Sequence, residues 1–220
     1  GDLPSHPELL DWLASAFVRG EYAADGKISK RTQPGAAKGA WSLKRLHRSI
    51  LLSSTYRQSS AANAMAAAKD PDARLHWRFA PRRLEGEAIR DACLAVGGQL
   101  NLKQGGPSVF PELPPGLVTR GGWPVTPDEA ERNRRSVYVF VRRNLRYPLF
   151  EAFDFPDTHE PCSRRSVTNT ASQSLMLFNS ELALKPAQAM AGRLLRECAS
   201  PVARVDRAYL LAFGRAPDSE

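Results

Sequence analysis

The segment GGPSVFPELPPGLVTRGGWPVTP (105–127) constrains this chain more than any other, because eleven of its 23 residues are glycine or proline. Proline has no N–H and locks φ, so neither a regular helix nor a central strand runs through such a stretch. A loop this long in a compact domain is either functional or irregularly packed. The rest of the fold must be short elements arranged around it.

Those elements read as mostly helical. Ser5-His6-Pro7-Glu8 has the form of a capping box, with Leu9, Leu10, Leu13 and Phe17 following at helical spacing and Gly20 as the stop. Residues 20–40 are small, polar and basic, the composition of a flexible insertion. Ser42 caps a second helix with Leu43, Leu46 and Ile50 inward, and Trp41 is placed to staple onto Leu46. A third helix is expected from Pro81 to Gly97, with Leu84, Ala88, Ala92 and Val96 as its inner stripe. Its polar side would carry Arg82, Arg83, Glu85, Glu87, Arg90 and Asp91, with Arg83 and Glu87 as an i,i+4 pair. Ser136–Val141 is the best strand candidate, and only the Gly/Pro segment offers it a partner. Gln173–Phe178 reads as helix. A further helix restarts at Ser180 or, so that Pro186 falls in a first turn, at Lys185, and a last one runs from Val202 to Gly214. The fold class is therefore mainly α, an irregular helical domain with a minor β element and long Gly/Pro-rich loops. The chain reads as one domain over 1–220, part of something longer: it begins without Met, and Arg215–Glu220 looks like the approach to another helix.

At 220 residues the chain is long enough to bury a core. Its net charge of +8 comes from 24 arginines against 7 lysines. The arginines are scattered, with one dense run at 132–146, and no nucleic-acid motif accompanies them. Arginine in excess of lysine favours forked pairing inside a fold, so nucleic acid is the last-ranked partner. No apolar stretch is long enough to span a membrane, and the first residues lack a signal-peptide pattern. Cys93, Cys162 and Cys198 are far apart and match no zinc spacing; one disulfide among them is open.

The densest chemistry lies in FDFPDTHEPCSRRSVTNT (153–170). Asp154, Asp157, His159, Glu160 and Cys162 offer metal-type ligands, but their spacing matches no metal loop, and no metal is expected. The plainer alternative is a turn. Asp154 and Asp157 would bond nearby N–H groups, and Arg164 and Arg165 would pair with those carboxylates or with Glu160. Cys162 would be a nucleophile only with a histidine beside it, and the sequence does not place His6, His47, His76 or His159. Glu85, Glu87 and Asp91 could supply paired carboxyls for work on a glycan, or else an Arg/Glu network along a solvated helix. Ser5 and Ser108 sit in no nucleophile elbow, and Gly105-Gly106 lacks the lysine of a phosphate loop.

Several stretches together resemble a planctomycete-specific domain of unknown function (domain of unknown function 1553). They are Ser5–Ala14, Trp41–Arg48 running on to Thr55–Ser59, Arg82–Asp91, Gly105–Val109, Arg134–Tyr138, Phe153–Asp157 and Thr168-Asn169-Thr170 with Gln173 and Asn179. The chain departs from the family pattern at 20–40 and at Ala171-Ser172, where the family has Pro-Leu. The resemblance implies a place toward the C-terminus of large exported proteins, so an extracytoplasmic location, periplasmic or at the cell surface. It implies no cofactor in this fragment, with haem c in domains upstream, and it implies no activity. Two functions from different classes follow. The first is a non-catalytic accessory or interaction domain, whose partner is another protein or neighbouring domains of the same chain. The second is a hydrolase-like domain acting on an extracellular polymer. In either case the candidate cluster is Arg83, Glu87, Arg90, Asp91, Asp154, Asp157, Glu160, Cys162, Arg165, Thr168, Thr170 and Gln173.

Overall fold

The structure, a computed structural model, describes residues 3–20, 40–117 and 122–218. The insertion expected at about 20–40 falls, apart from its two end residues, outside them. The described residues form nine α-helices, one 3₁₀ turn and three isolated β-bridges. The chain is mainly α-helical, as its periodicity predicts. It divides into two compact units, Gly1–Arg82 and Arg83–Glu220.

The first unit holds α1 (Pro7–Arg19), α2 (Leu43–Leu52) and α3 (Ala64–Lys69). Ser5 does not cap α1. Its hydroxyl lies 2.8 Å from Nδ1 of His6, and Pro7 fills the first helical position, where a missing N–H costs nothing. Gly20 closes α1 as expected, at φ 76, and its N–H reaches Ala16 O at 2.8 Å. Ser42 caps α2 as read, accepting from the Arg45 N–H at 3.4 Å. Trp41 stands edge-on to Phe17, ring centroids 5.3 Å apart. The alanine-rich α3 has no hydrophobic stripe to announce it; Asn63 Oδ1 starts it by accepting from Met65 and Ala66. Among the described residues of this unit, Ala16 and Ala73 are the buried apolar ones.

The second unit is built on α4 (Gly86–Val96). Around it lie α5 (Glu129–Arg132), a 3₁₀ turn (Ser136–Tyr138), α6 (Pro148–Ala152), α7 (Ala171–Asn179), α8 (Glu181–Glu197) and α9 (Pro201–Phe213). The core gathers Val109, Val139, Tyr147, Leu149, Phe150 and Phe153. Burial of each such side chain contributes roughly 1.5–3 kcal/mol.

Three expectations change here. First, α4 begins at Gly86 instead of Pro81, and its buried stripe is Gly86, Arg90 and Leu94. Leu84, Ala88 and Ala92 face outward. Gly86 lets α6 approach: a Cβ there would lie 3.0 Å from Phe150 Cα and 3.2 Å from Phe153 Cβ. Arg90 turns inward because its guanidinium finds backbone carbonyls there. Second, Ser136–Val141 is not a strand. Ser136–Tyr138 winds into a 3₁₀ turn, and a single parallel bridge joins Val139 to Val109. The partner does come from the Gly/Pro segment: the Val109 N–H donates to Tyr138 O at 2.8 Å, and the Phe140 N–H to Val109 O at 2.9 Å. Third, of the two restarts read for α8 the one at Ser180 holds and the favoured one at Lys185 does not: Ser180 is the N-cap, α8 starts at Glu181, and Pro186 lies inside it. At that point α8 passes Gly97, where a Cβ would come 3.0 Å from Pro186 O. The ends of α7 and α9 fall close to the sequence reading, and Gly214 closes α9 at φ 67.

The Gly/Pro segment is held by Arg134, whose side chain is fully buried. Its guanidinium donates to the carbonyls of Gly105, Pro107 (3.2 Å) and Lys103 (3.4 Å), and its Cζ stacks 3.9 Å from the Tyr138 ring centroid.

Two substitutions test this packing. Alanine is favoured over glycine within a helix by about 1 kcal/mol, but at Gly86 the methyl meets backbone. Gly86→Ala is expected to destabilise the second unit by about 1–3 kcal/mol. Arg134→Lys keeps the charge but cannot reach three carbonyls in one plane, and is expected to cost about 3 kcal/mol. Hydrogen exchange at the Val139 and Phe153 amides reads both; unchanged protection would contradict the packing described.

Candidate functional site

Local geometry decides what each candidate can do. Asp154 sits just after α6 at φ 61, a left-handed conformation that aspartate tolerates better than most residues. There its carboxylate meets Arg83 in an ion pair. Oδ2 also accepts from the Thr168 N–H at 2.8 Å, and Oδ1 from the Thr168 hydroxyl at 2.9 Å. The Thr168 oxygen in turn accepts from Gln173 Nε2 at 3.3 Å, and the same nitrogen donates to Ala152 O at 3.0 Å. Gln173 is buried, and its Oε1 accepts the Thr170 N–H at 3.2 Å at the start of α7. Arg83, Asp154, Thr168, Thr170 and Gln173 thus form one chain of bonds. It ties the 153–170 segment between the end of α6 and the start of α7.

A second group is centred on Arg165. Its Nη1 donates to Glu87 Oε1 at 2.9 Å and to Glu85 Oε2 at 3.0 Å, and its Cζ lies 5.4 Å from the Phe155 ring centroid. The expected pairing of Arg165 with Asp154, Asp157 or Glu160 is replaced by this one, and the expected Arg83–Glu87 pair by Arg83–Asp154. A glutamate pair at i,i+2, Glu85 at the N-cap and Glu87 in the first turn of α4, offers Arg165 two carboxylates at once, whereas Asp154 is already saturated. Asp157 pairs with Arg146 at 3.2 Å and caps its own turn, accepting the His159 N–H at 2.9 Å.

Arg90 and Asp91 belong to a third group. Arg90 donates to Arg132 O (2.6 Å), Arg134 O (3.0 Å) and Ser136 Oγ (3.3 Å). Asp91 Oδ1 accepts the Ser136 N–H at 2.7 Å, and Arg135 lies 3.5 Å from Oδ2. Glu160 and Cys162 are exposed and stand outside all three groups. All three cysteines are free, and Cys162 Sγ lies 3.3 Å from Arg164 O. Among the described residues, no three His, Cys, Asp or Glu side chains come together as metal ligands would.

The electrostatics follow the bonds. The Thr168 backbone N–H, with the Thr168 hydroxyl and Arg83, holds the Asp154 carboxyl below the usual carboxylate range against the opposing effect of burial. The His159 N–H and Arg146 do the same for Asp157. Carboxylates held this way are weak bases, suited to fixing a loop and poorly suited to moving protons.

The second unit also contains a cavity of about 330 Å³ that none of the sequence candidates except Arg90 lines. Its walls come from α4, the 111–115 turn of the Gly/Pro segment, α5 and the start of α8, and Tyr147 and Leu149 form part of its floor. Glu112 crosses its edge, 2.6 Å from Lys185 Nζ and 3.3 Å from Arg132 Nη2. The Lys185 hydrogen bond holds Glu112 below its ordinary range, and Glu112 raises Lys185. Burial pushes the Tyr147 hydroxyl up, opposed by Arg90. Sequence reasoning missed Glu112, Arg132 and Lys185. The available signal was a lone carboxylate between prolines, in a loop too irregular to serve only as a connector.

Asp154 gives a pH test with a definite sign. Its folded-state value lies below the unfolded one, so its contribution is complete above about pH 4. That contribution disappears as pH falls through the lower folded value. Asn keeps the left-handed backbone and the Thr168 contact but removes the charge. Asp154→Asn is expected to lower stability at pH 6 and to shrink the loss between pH 4 and lower pH, read as urea midpoints across that range. An acid limb identical to that of the parent chain would show that Asp154 does not contribute.

The family model described as "PSD1: Protein of unknown function (DUF1553)" matches residues 1–220. No curated protein and no solved structure matches the chain. With the match extending over its whole length, the chain belongs to this family of unknown function.

Proposed function

We propose that this chain is a non-catalytic accessory or interaction domain of an exported, planctomycete, haem-c-linked multidomain protein. It works outside the cytoplasm and docks on another protein or on neighbouring domains of its own chain. One observation carries the non-catalytic part. Of the candidate carboxylates all but the exposed Glu160 are engaged: Asp154 by Arg83 and Thr168, Glu85 and Glu87 by Arg165, Asp157 by Arg146, and Asp91 by Ser136 and Arg135. A polymer hydrolase would need two unengaged carboxyls roughly 5–9.5 Å apart, one of them able to give up a proton.

Other features favour docking over nucleic-acid binding. Of the six arginines at 132–146, five are engaged within the fold, at carbonyls or carboxylates. Large apolar side chains stay exposed on the last helices of the second unit, with Phe178 at 88% and Phe213 at 68%. No helix among the described residues is long and apolar enough to cross a membrane. The exported location and the haem c upstream rest on the family resemblance.

The test has two parts. The chain is assayed against polysaccharides, aryl glycosides and aryl esters, and the longer protein is cross-linked through Lys44 and Lys103. The expected result is no turnover, together with cross-links from these lysines to neighbouring domains or to a bound protein. Turnover that Asp154→Asn or Glu87→Gln abolishes would replace this reading with the hydrolase.

A further inference from the structure

The cavity beside α4 has an apolar floor and a charged edge; three cations and three carboxylates line it, and the most deeply buried of them, Arg90, is a cation. Leu94, Leu113, Tyr147, Leu149 and Leu182 supply the floor. Arg90 is buried, and among the described residues it forms no ion pair with a carboxylate; it donates to the carbonyls of Arg132 and Arg134 and to the Ser136 hydroxyl. Arg132 and Lys185 share the carboxylate of Glu112, and Lys185 has a second, longer contact with Glu181. A buried cation without an anion is costly, so the interior favours a negative group.

Glu112 already shows where that group fits, because its carboxylate bridges a guanidinium and an ammonium across the edge. Both partners of the bridge keep their places without it. Arg132 Nη1 is held by Thr126 O at 2.7 Å and Pro127 O at 2.8 Å, and Lys185 has Glu181 at 3.7 Å. Glu112 and Lys185 are about half exposed, and exposed pairs of this kind contribute only ~0–1 kcal/mol, so the bridge opens at little cost. Glu129 and Glu181 on the wall would repel a second negative charge. A volume of about 330 Å³ lies at the small end of ligand pockets.

We propose that this cavity binds a small organic monoanion, an apolar body carrying one carboxylate, and that the carboxylate replaces Glu112 between Lys185 and Arg132. The apolar body lies on the leucine and tyrosine floor. Glu112 acts as a built-in competitor that occupies the anion position when no ligand is bound. This inference does not depend on the accessory-domain reading, since either function accommodates a ligand pocket.

The probe is 4-phenylbutyrate, titrated into the 220-residue chain with ¹H–¹⁵N NMR readout, beside 4-phenylbutanamide as its uncharged match. The acid is expected to give saturating shifts at the amides of Leu94, Gln99, Leu113 and Leu182. The amide is expected to bind about tenfold more weakly, the usual scale of one charge-assisted contact. Glu112→Ala should tighten acid binding severalfold, and Lys185→Gln should weaken it. The proposal is overturned by shifts that fail to saturate or lie outside the cavity, and by equal affinity for acid and amide. Weaker acid binding in Glu112→Ala would also overturn it. The acid–amide comparison uses the unaltered chain, so a substitution that fails to fold leaves the test intact.

Discussion

An arginine side chain gathering backbone carbonyls is the interaction on which the second unit depends. A segment that is nearly half glycine and proline cannot satisfy its carbonyls in a ladder, and an unpaired buried carbonyl is expensive. Arg134 meets this need for residues 103–107, and Arg132 meets it for residues 126 and 127. Arg142 reaches Gly122, and Arg90 closes the set by taking the carbonyls of Arg132 and Arg134 themselves. The guanidinium suits this work because it offers five donors in a fixed plane, whereas lysine offers one point charge. The chain's preference for arginine over lysine thus has a structural cause. The same device recurs where Arg193 takes the last carbonyls of α4, Ala95 O and Val96 O.

This explains why α4 is turned as it is. A helix facing an aromatic cluster would be expected to present its aliphatic residues. Here the near neighbour is α6, close enough that only Gly86 fits, and beyond it lies a loop rich in carbonyls that only a long donor can serve. Gly86, Arg90 and Leu94 lie four residues apart, so one helical stripe reads out spacer, clamp and apolar contact in turn. Ala88 and Ala92, the more hydrophobic choice, are left outside because small apolar side chains gain little from burial.

The legible parts of the sequence were those governed by local chemistry. Ser42, Gly20 and Gly214 marked their helix ends, and the period of α7 and α9 was clear. What failed was governed by distant partners. The β-branched run at 136–141 has strong strand propensity, but the available neighbour was the lone Val109, so one bridge formed and Ser136–Tyr138 wound into a 3₁₀ turn. The Ser5 box was equally plausible on paper, but Pro7 at the first position had already removed an N–H that needed a cap. At the candidate site, sequence brought together the right residue types and mispaired them. Spacing along the chain put Arg165 near Asp157 and Glu160, but the fold brings it to Glu85 and Glu87, about 80 residues away.

Arg132 joins the scaffold to the cavity. Its carbonyl accepts from Arg90, one arm of its guanidinium holds Thr126 and Pro127, and the other arm reaches Glu112. Lys185, on α8, has no such anchoring. The two sides of the Glu112 bridge therefore differ in stiffness. Exchanging the carboxylate between them would move the 111–115 turn while leaving Arg132, the 3₁₀ turn and α4 in place. Fixed carbonyl bonds give the cavity a rigid wall, and a cheaply broken surface pair gives it an edge that opens. An anion can then be held in a unit whose other charges are committed to its fold.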